Sequence, residues 1–154
     1  FIRQKSGINA TVFDLPNVVN LTEEYIRKEG FAGQITTAAG DYLKDPLPEG
    51  FDIVFLSAVI HSNSYTENEA LISKCAGSLN PGGRVIVQDF VMEECRTKPA
   101  YGAIFAMNML VATPSGDTYT EEEVKTWMKK AGLSDFMRID QNFGTSQIIG
   151  RKPE

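Results

Sequence analysis

Apolar residues near the middle of the chain form two short runs, separated by a stretch with helical spacing. The first run, residues 51–56 (FDIVFL), is too short for an ordinary helix, and the second, residues 84–89 (RVIVQD), is rich in β-branched side chains. Both are predicted to be strands, the first covered on both faces. Between them, residues 66–79 carry apolar side chains at helical intervals, which predicts a helix. The three elements predict a βαβ unit with parallel strands and a right-handed crossover.

Polar residues mark the limits of this central helix. Residues 66–69 (TENE) fit a capping box, which predicts that the helix begins there. The sequence Asn80-Pro81-Gly82-Gly83 combines residues that interrupt helices, so the helix is expected to stop before it.

The rest of the chain alternates strands and helices in the same way. In chain order, the other predicted elements are the end of a helix at 1–6, a strand at 8–13, a helix from Pro16 to about Glu29, a strand at 34–39, a helix at 101–111, a helix at 120–131, and strands at 136–140 and 146–151. The last two strands are expected to pair antiparallel across a short turn. In the helix at 101–111, the residues expected to face away from water are Ile104, Phe105, Asn108 and Met109. This order predicts one three-layer α/β domain over residues 1–154.

Composition restricts the classes of partner. The 15 Lys and Arg against 20 Asp and Glu give a net charge of -5, and no basic cluster is present, so nucleic acid is not an expected partner. No apolar run reaches the ~18 residues that a membrane-spanning helix needs, so no membrane partner is expected either. Cys75 and Cys95 are the only cysteines, which favours free thiols in a reducing compartment and a cytoplasmic location.

The carboxyl ends of the two central strands are the predicted place for chemistry. In open parallel sheets, ligands bind outside these ends, and here they carry residues 57–63 and 89–92. His61, the chain's one histidine, lies in the first segment and could accept a proton near neutral pH. The alternative is a structural histidine, just as Asp89 could simply cap its strand.

Five segments carry motifs in a defined order. They are ATVFDLP at 10–16, AAGDYL at 38–43, FDIVFLSAVIH at 51–61, LNPGGRVIVQD at 79–89 and TYTEEEVKTWMKKAGL at 118–133. In this order and spacing they resemble the second to fifth strand regions and a late helix of class I S-adenosylmethionine-dependent methyltransferases. The branch they resemble most methylates hydroxyl groups of aromatic small molecules.

The resemblance implies a Rossmann-like three-layer sandwich with a mostly parallel sheet and an antiparallel C-terminal hairpin. In that family the first strand ends in a glycine-rich loop of the type E/D-x-G-x-G-x-G, often after an N-terminal dimerisation domain. Neither is found in these 154 residues. We therefore expect a partial methyltransferase domain from which the first strand is missing.

The resemblance also implies which residues bind S-adenosylmethionine. Asp14 is expected to accept hydrogen bonds from the ribose hydroxyls, with a helix N-cap as the alternative. Asp41 and Tyr42 are expected to hold the adenine, with a polar turn as the alternative. The full set of expected cofactor-binding residues is Asp14, Leu15, Gly40, Asp41, Tyr42 and Ser57, and the small residue Ala58 follows the last.

By the same resemblance, His61 is expected to be the general base and Asp89 the residue that orients it. A further acidic residue is implied before Tyr119, where this chain has Thr118, with Asp117 one position earlier. The residues implied to line the substrate site are Phe105, Asn108 and Met109. Core packing is their alternative role.

Two functions stay open on the sequence. The first is an S-adenosylmethionine-dependent O-methyltransferase that acts on a phenolic or enolic small molecule. This enzyme is expected to be a homo-oligomer, such as a homodimer. The second is a catalytically inactive fragment, or a binding and assembly module, that keeps the scaffold. No metal is expected, because Glu93 and Glu94 belong to no spaced set of carboxylates.

Overall fold

The structure is a computed structural model that describes residues 1–154, apart from the side chain of Phe143. By its internal contacts the chain divides into two compact units, residues 1–48 and residues 49–154. Strands and helices alternate in both units, so the predicted α/β class is confirmed.

The first unit contains two parallel strands joined by a helix. Strand β1 is Ala10–Asp14, helix α1 is Pro16–Lys28 and strand β2 is Ile35–Ala39. Proline stands in the first turn of α1, where its missing N–H costs nothing. Residues 1–6 were expected to end a helix, and this is wrong: they form turns, with the N–H groups of Gln4 and Lys5 both donating to the carbonyl of Phe1. A lone turn lacks the further hydrogen bonds that make a helix stable.

The second unit is built on a four-stranded sheet. Its elements are β3 (Phe51–Ser57), a 3₁₀ turn (Ile60–Ser62), α2 (Tyr65–Ser78), β4 (Leu79–Asp89), β5 (Val91–Met92), α3 (Ala100–Ala112), β6 (Tyr119–Thr120), α4 (Glu121–Lys130), β7 (Ser134–Asp140), a second 3₁₀ turn (Asn142–Gly144) and β8 (Ser146–Arg151). The sheet has the order β3-β4-β8-β7. Strands β3 and β4 are parallel and the other two pairings are antiparallel, which confirms the βαβ unit and the C-terminal hairpin. The parallel pair of β5 and β6 was not predicted.

The ends of α2 differ from the prediction. The capping box is formed by Ser64 and Glu67, whose side chains each accept from the other's backbone N–H. The predicted box at 66–69 is wrong by two residues, because two overlapping segments fit the same pattern. At the other end, β4 begins directly at Leu79 instead of at 84, and its first residues take up an irregular register opposite β3.

The core of the second unit lies where α2 and α4 pack on each other and on the sheet. Side chains with no measurable exposure there include Ile72, Cys75, Val85, Val87, Val124, Trp127, Met128 and Ile148. Strand β3 is different, since Ile53 is 55% exposed and Phe55 is 37% exposed. The expectation that β3 is covered on both faces is therefore wrong for this chain. Within the part of the chain that the structure describes, β3 is paired only with β4.

None of the helices described within residues 1–154 is both long enough and apolar enough to cross a membrane.

Candidate active site

A histidine and an aspartate are hydrogen-bonded where β3 and β4 end. The Nδ1 atom of His61 lies 2.9 Å and 3.0 Å from the two carboxylate oxygens of Asp89. The side chain of His61 is 15% exposed and that of Asp89 is 2% exposed. Because an ionised carboxylate can only accept, Nδ1 carries the proton in this pair. The lone pair of Nε2 is then the basic site of the ring.

The Asp89 carboxylate is itself held by backbone donors. The N–H of Phe90 donates to Oδ1 at 2.8 Å, and the N–H of His61 donates to Oδ2 at 3.4 Å. The backbone of Asp89 is paired with Ser146 of β8. The acceptor of the histidine proton is thus fixed before any ligand binds, which is what an orienting residue requires.

The segment that leads to His61 has an unusual backbone. Strand β3 ends at Ser57, and Ala58 then has a φ of 56°, in the left-handed region that non-glycine residues rarely adopt. The N–H of Ala58 donates to the carbonyl of Gln88 at 2.9 Å. Ile60 follows with 1% exposure. The short turn that carries His61 is therefore attached to β4 on one side and anchored in the core on the other.

Helix α3 brings Phe105 to the histidine. The rings of Phe105 and His61 have centroids 4.9 Å apart and perpendicular planes. The ring of Phe90, next to Asp89 in the sequence, is tilted against that of Phe105 with centroids 4.6 Å apart, and the ring of Tyr101 lies 5.4 Å from that of Phe90. Two separately predicted site residues, one for the base and one for the substrate, therefore meet in a cluster of aromatic rings.

The other residues predicted on α3 divide between its two faces. Met109 is buried, whereas Asn108 is exposed and Ile104 is 65% exposed. The expectation that all four face away from water is wrong for Ile104 and Asn108. The reason is the rotation of the helix: Gly102 and Met109, seven residues apart, take the inward face, and a side chain on Gly102 would overlap the sulfur of Met92.

In the first unit, Asp14 and Gly40 lie at the neighbouring ends of β1 and β2. Asp14 is paired with Ala39 in the register of the two strands, and the N–H of Gly40 donates to the Asp14 carbonyl at 2.9 Å. The Asp14 carboxylate accepts from the N–H of Leu15, which is itself the N-cap residue of α1. Asp14 is thus not the helix cap that was its alternative role.

Asp41 organises the turn that follows β2. Its Oδ1 accepts from the N–H of Leu43 at 3.0 Å, and its Oδ2 pairs with Lys44 at 2.8 Å. The ion pair raises the pKa of Lys44 above its ordinary value, chiefly through the hydrogen bond that the ammonium group donates to the Asp41 carboxylate. Tyr42, beside it, is half-buried. The predicted polar turn is present, and it holds the carboxylate that was assigned to adenine.

Two other predicted residues make only local contacts. The hydroxyl of Ser57 accepts from the Nε2 atom of Gln88 at 3.3 Å. Asp117 pairs with Arg96 at 3.4 Å and accepts from the N–H of Thr118 at 2.7 Å. Asp117, one position before the Thr118 that stands where an acidic partner was implied, therefore belongs to an ion pair.

Sequence reasoning missed the polar residues behind the histidine. Asn68, on α2, is 0% exposed, and its amide contacts both Ile60 and Asn63, on either side of His61. The hydroxyl of Tyr119 donates to the carbonyl of Asn63 at 2.5 Å. A signal was available, since an asparagine on the apolar stripe of a helix must find partners in the core.

Other sites offer less chemistry. Within the described residues, no group of three His, Cys, Asp or Glu side chains could hold a metal ion. A surface cleft of about 210 Å³ lies beside Arg96, Thr120, Glu122 and Glu123, and none of the predicted site residues lines it. Two of its charges pair with each other, since Arg96 bonds Glu123 at 2.5 Å.

Comparison with known proteins adds an independent line of evidence. A family model described as the O-methyltransferase domain matches residues 3–134, which is most of the chain and includes both units. The chain belongs to the O-methyltransferase domain family. The motifs that carried the resemblance in the sequence thus identified the family correctly.

Individual members of the family show how much of it this chain represents. A 3-hydroxy-5-methyl-1-naphthoate 3-O-methyltransferase of Streptomyces sahachiroi is 38% identical over 137 residues, which are 89% of this chain and 39% of that protein. A tetracenomycin polyketide synthesis 8-O-methyl transferase of Streptomyces glaucescens is 32% identical, over 98% of this chain and 44% of that one. The chain therefore spans about two fifths of the length of these curated relatives.

Solved structures agree on the fold. The crystal structure of human N-acetylserotonin methyltransferase, in complex with S-adenosylmethionine, superposes with a TM-score of 0.87 at 29% identity. The match covers 99% of this chain and 43% of the human chain. The predicted methyltransferase fold is confirmed.

Proposed function

We propose that the protein transfers a methyl group from S-adenosylmethionine to a hydroxyl group of an aromatic or enolic small molecule. The observation that carries the proposal is the hydrogen bond from His61 to the buried carboxylate of Asp89, beside the rings of Phe90 and Phe105. Membership of the O-methyltransferase domain family supports the same reaction. Methylation of aromatic hydroxyls by the named relatives supports the acceptor class.

His61 is the proposed general base. A phenolic hydroxyl is a weak nucleophile until its proton leaves, and Nε2 can accept that proton while Nδ1 stays bonded to Asp89. The carboxylate then stabilises the imidazolium that forms, and it keeps the ring from turning. In the transfer the acceptor oxygen would gain the methyl group as the sulfur–methyl bond breaks and leaves a neutral thioether, and the proton would end on His61 before it passes to water.

The first unit supplies the proposed cofactor-binding residues. The ribose diol and the adenine amino group are hydrogen-bond donors, and the carboxylates of Asp14 and Asp41 are acceptors, so the residues fit these parts of S-adenosylmethionine. Gly40 supports this fit, because a side chain there would overlap the ring of Phe13 and push the strand end aside. When bound, the cofactor supplies an electrophilic methyl group. Leu15 and Tyr42 of this unit are proposed as neighbours of the cofactor; Ser57, a small residue of the second unit, is proposed as a cofactor-binding residue from the family resemblance alone.

Helix α3 provides the proposed acceptor site. Phe105 offers an aromatic face next to the base, where a flat acceptor would be held close to Nε2. Met109, four residues further along the helix, adds a buried thioether, which adapts to differently shaped ligands. Asn108 is the proposed hydrogen-bonding residue on the exposed side.

Residues 1–154 are proposed to be one partial methyltransferase domain, since the family match runs through both units. A homo-oligomer, such as a homodimer, is proposed because exposed apolar surface favours contact with a second copy of the chain. Helix α3 exposes five large apolar side chains: Tyr101, Ile104, Met107, Leu110 and Val111. A cytoplasmic location is proposed from the two free thiols, one of them exposed.

The test is methyl transfer by the protein at its natural full length. It would be incubated with S-adenosylmethionine carrying a radioactive methyl group and with 3-hydroxy-5-methyl-1-naphthoate, N-acetylserotonin or a simple phenol in separate reactions. We expect label in at least one hydroxyl acceptor and much less of it with His61→Gln. Cofactor binding without transfer to any acceptor would favour the second function, an inactive binding or assembly module.

A further inference from the structure

A buried amide holds the short turn that carries His61. Asn68 projects from α2 and is 0% exposed. Its Nδ2 atom donates to the carbonyl of Ile60 at 2.8 Å, and its Oδ1 atom accepts from the side chain of Asn63 at 3.0 Å. These two partners lie immediately before His61 and two residues after it. One side chain therefore bridges the two ends of the 3₁₀ turn.

Tyr119 fixes the same turn from a second element. Its hydroxyl donates to the carbonyl of Asn63 at 2.5 Å, and its ring packs edge-on against the buried Trp127 at 4.9 Å. Burial raises the pKa of Tyr119 to about 12, with the negative charges of Asp117 and Glu123 adding to the effect. The phenol therefore stays protonated and keeps donating throughout the pH range in which a histidine base works.

The contacts to the turn come from different elements of the second unit. Asp89 receives the ring N–H of His61 and, more weakly, its backbone N–H. Asn68 bonds the backbone carbonyl of Ile60 and the side chain of Asn63, and Tyr119 bonds the backbone carbonyl of Asn63. Two groups thus determine where Nε2 lies: the carboxylate sets the rotation of the ring, and the amide sets the position of the backbone that bears it.

We infer that Asn68 is a positioning residue for the proposed base His61, with Tyr119 in support. The expected effect on turnover rests on the proposed function, because it requires His61 to be the base. The hydrogen bonds from Asn68 to the turn do not depend on that function. A buried amide that makes hydrogen bonds in both directions has one rotamer available, so it transmits the rigidity of α2 to the turn. A displacement of about 1 Å at a reacting group can cost about 10²-fold in rate.

The test compares three variants of the protein at its natural full length. Asn68→Asp is nearly the same size and can still accept from Asn63, but it cannot donate to the Ile60 carbonyl. Tyr119→Phe removes one hydroxyl and leaves the ring packing. Ser78→Ala is the control, because Ser78 is buried on the same helix and its hydroxyl bonds only the carbonyl of Lys74 within that helix.

The first readout is the imidazole of His61, observed by ¹H–¹⁵N NMR after ¹⁵N labelling and assigned with His61→Gln. We expect one tautomer with a slowly exchanging Nδ1–H in the wild type and in Ser78→Ala. In Asn68→Asp we expect this proton to exchange at least about 10-fold faster and both tautomers to be present, with a smaller change of the same sign in Tyr119→Phe. This readout needs no methyl acceptor.

The second readout is turnover with 3-hydroxy-5-methyl-1-naphthoate. We expect kcat of Asn68→Asp to fall by about 10- to 100-fold with KM little changed. Folded Asn68→Asp and Tyr119→Phe with wild-type Nδ1–H exchange would overturn the inference. If Asn68→Asp does not fold, Tyr119→Phe decides alone. Normal turnover in His61→Gln would overturn the proposed base instead, while the exchange data would still test the hold on the turn.

Discussion

The ring of Phe105 stands perpendicular to the imidazole of His61, with the two centroids 4.9 Å apart. The first belongs to α3 and the second to the turn after β3, so residues 44 positions apart in the sequence define one small aromatic site. A perpendicular ring contact of this kind places apolar aromatic surface directly beside the imidazole. This contact links the residues proposed for substrate and for base.

The first prediction concerns the histidine pair. In the full-length protein, His61→Ala should lower kcat by roughly 10²–10⁴-fold, because the acceptor hydroxyl loses its proton acceptor. Asp89→Asn should lower it by about 10²-fold, since an amide nitrogen would face a donor and disturb the Nδ1–H tautomer. Single-turnover rates with bound S-adenosylmethionine measure both effects. Cofactor affinity should stay within about twofold in each variant, and a wild-type rate for His61→Ala would return that residue to a structural role.

The second prediction concerns the first unit. Asp14→Asn replaces one acceptor oxygen with a donor, so it should weaken S-adenosylmethionine binding by roughly 10-fold, the value of one hydrogen bond to a charged group. Isothermal titration calorimetry on the full-length protein measures this. Glu24→Gln is the matched control, because it removes one negative charge from an exposed site on α1. Equal affinities for the two variants would argue against a role for Asp14 in cofactor binding.

Local sequence patterns predicted most of the elements, and for a physical reason. Helix α1 begins at a proline and helix α4 at a capping box, and both signals are confined to a few neighbouring residues. The parallel pairing of β3 and β4 followed from the strand, helix, strand order. The pair of β5 and β6 was not predictable in this way, because two-residue strands have no periodicity to detect.

The site shows the same division between local and distant information. His61 and Asp89 were predicted from their positions at strand ends and from the family resemblance, and the structure brings them to 2.9 Å. The role of Asn68 depends on which backbone groups the turn leaves unsatisfied, and this is decided only when α2 packs against it. The exposure of Ile53 was mispredicted because apolar composition does not reveal how many neighbours a strand has.

The third prediction uses two glycines of the second unit. A Cβ atom on Gly116 would overlap the carbonyl of His61 and the hydroxyl of Thr113, whereas nothing lies within 4 Å of one on Gly77. Gly116→Ala should therefore destabilise the fold by about 1–3 kcal/mol and move the His61 turn. Gly77→Ala, at an exposed position in α2, should stabilise by about 0.5–1 kcal/mol. Urea unfolding curves measure both, and a neutral Gly116→Ala would mean that the loop shifts without cost.

The fourth prediction concerns the open side of β3. Ile53 is 55% exposed on a strand that pairs on one side only in the described structure, so the 154-residue chain should self-associate through this edge. Ile53→Lys should reduce the association, because a charged side chain disfavours pairing with a second chain. Leu21→Lys, at a position 53% exposed on helix α1, is the control and should have little effect. Light scattering across a concentration series compares the three, and equal association in all of them would exclude this edge.

The fifth prediction is alkaline destabilisation through a buried thiol. Desolvation raises the pKa of Cys75 from 9.0 to about 12, with only a small opposing effect from Lys74. A thiol whose pKa is raised on folding stabilises the native state fully below its unfolded pKa. That contribution is lost as pH rises through the folded pKa, so stability should decline from about pH 9 toward pH 12.

Cys75→Ala should be less stable than wild type at neutral pH, because of the cavity, yet its melting temperature should fall less steeply between about pH 9 and pH 12. Tyr119, raised to about 12 as well, remains in both proteins and contributes equally to the two curves. Thermal melts at half-unit steps of pH compare the slopes, and identical slopes would show that folding does not raise the pKa of the Cys75 thiol.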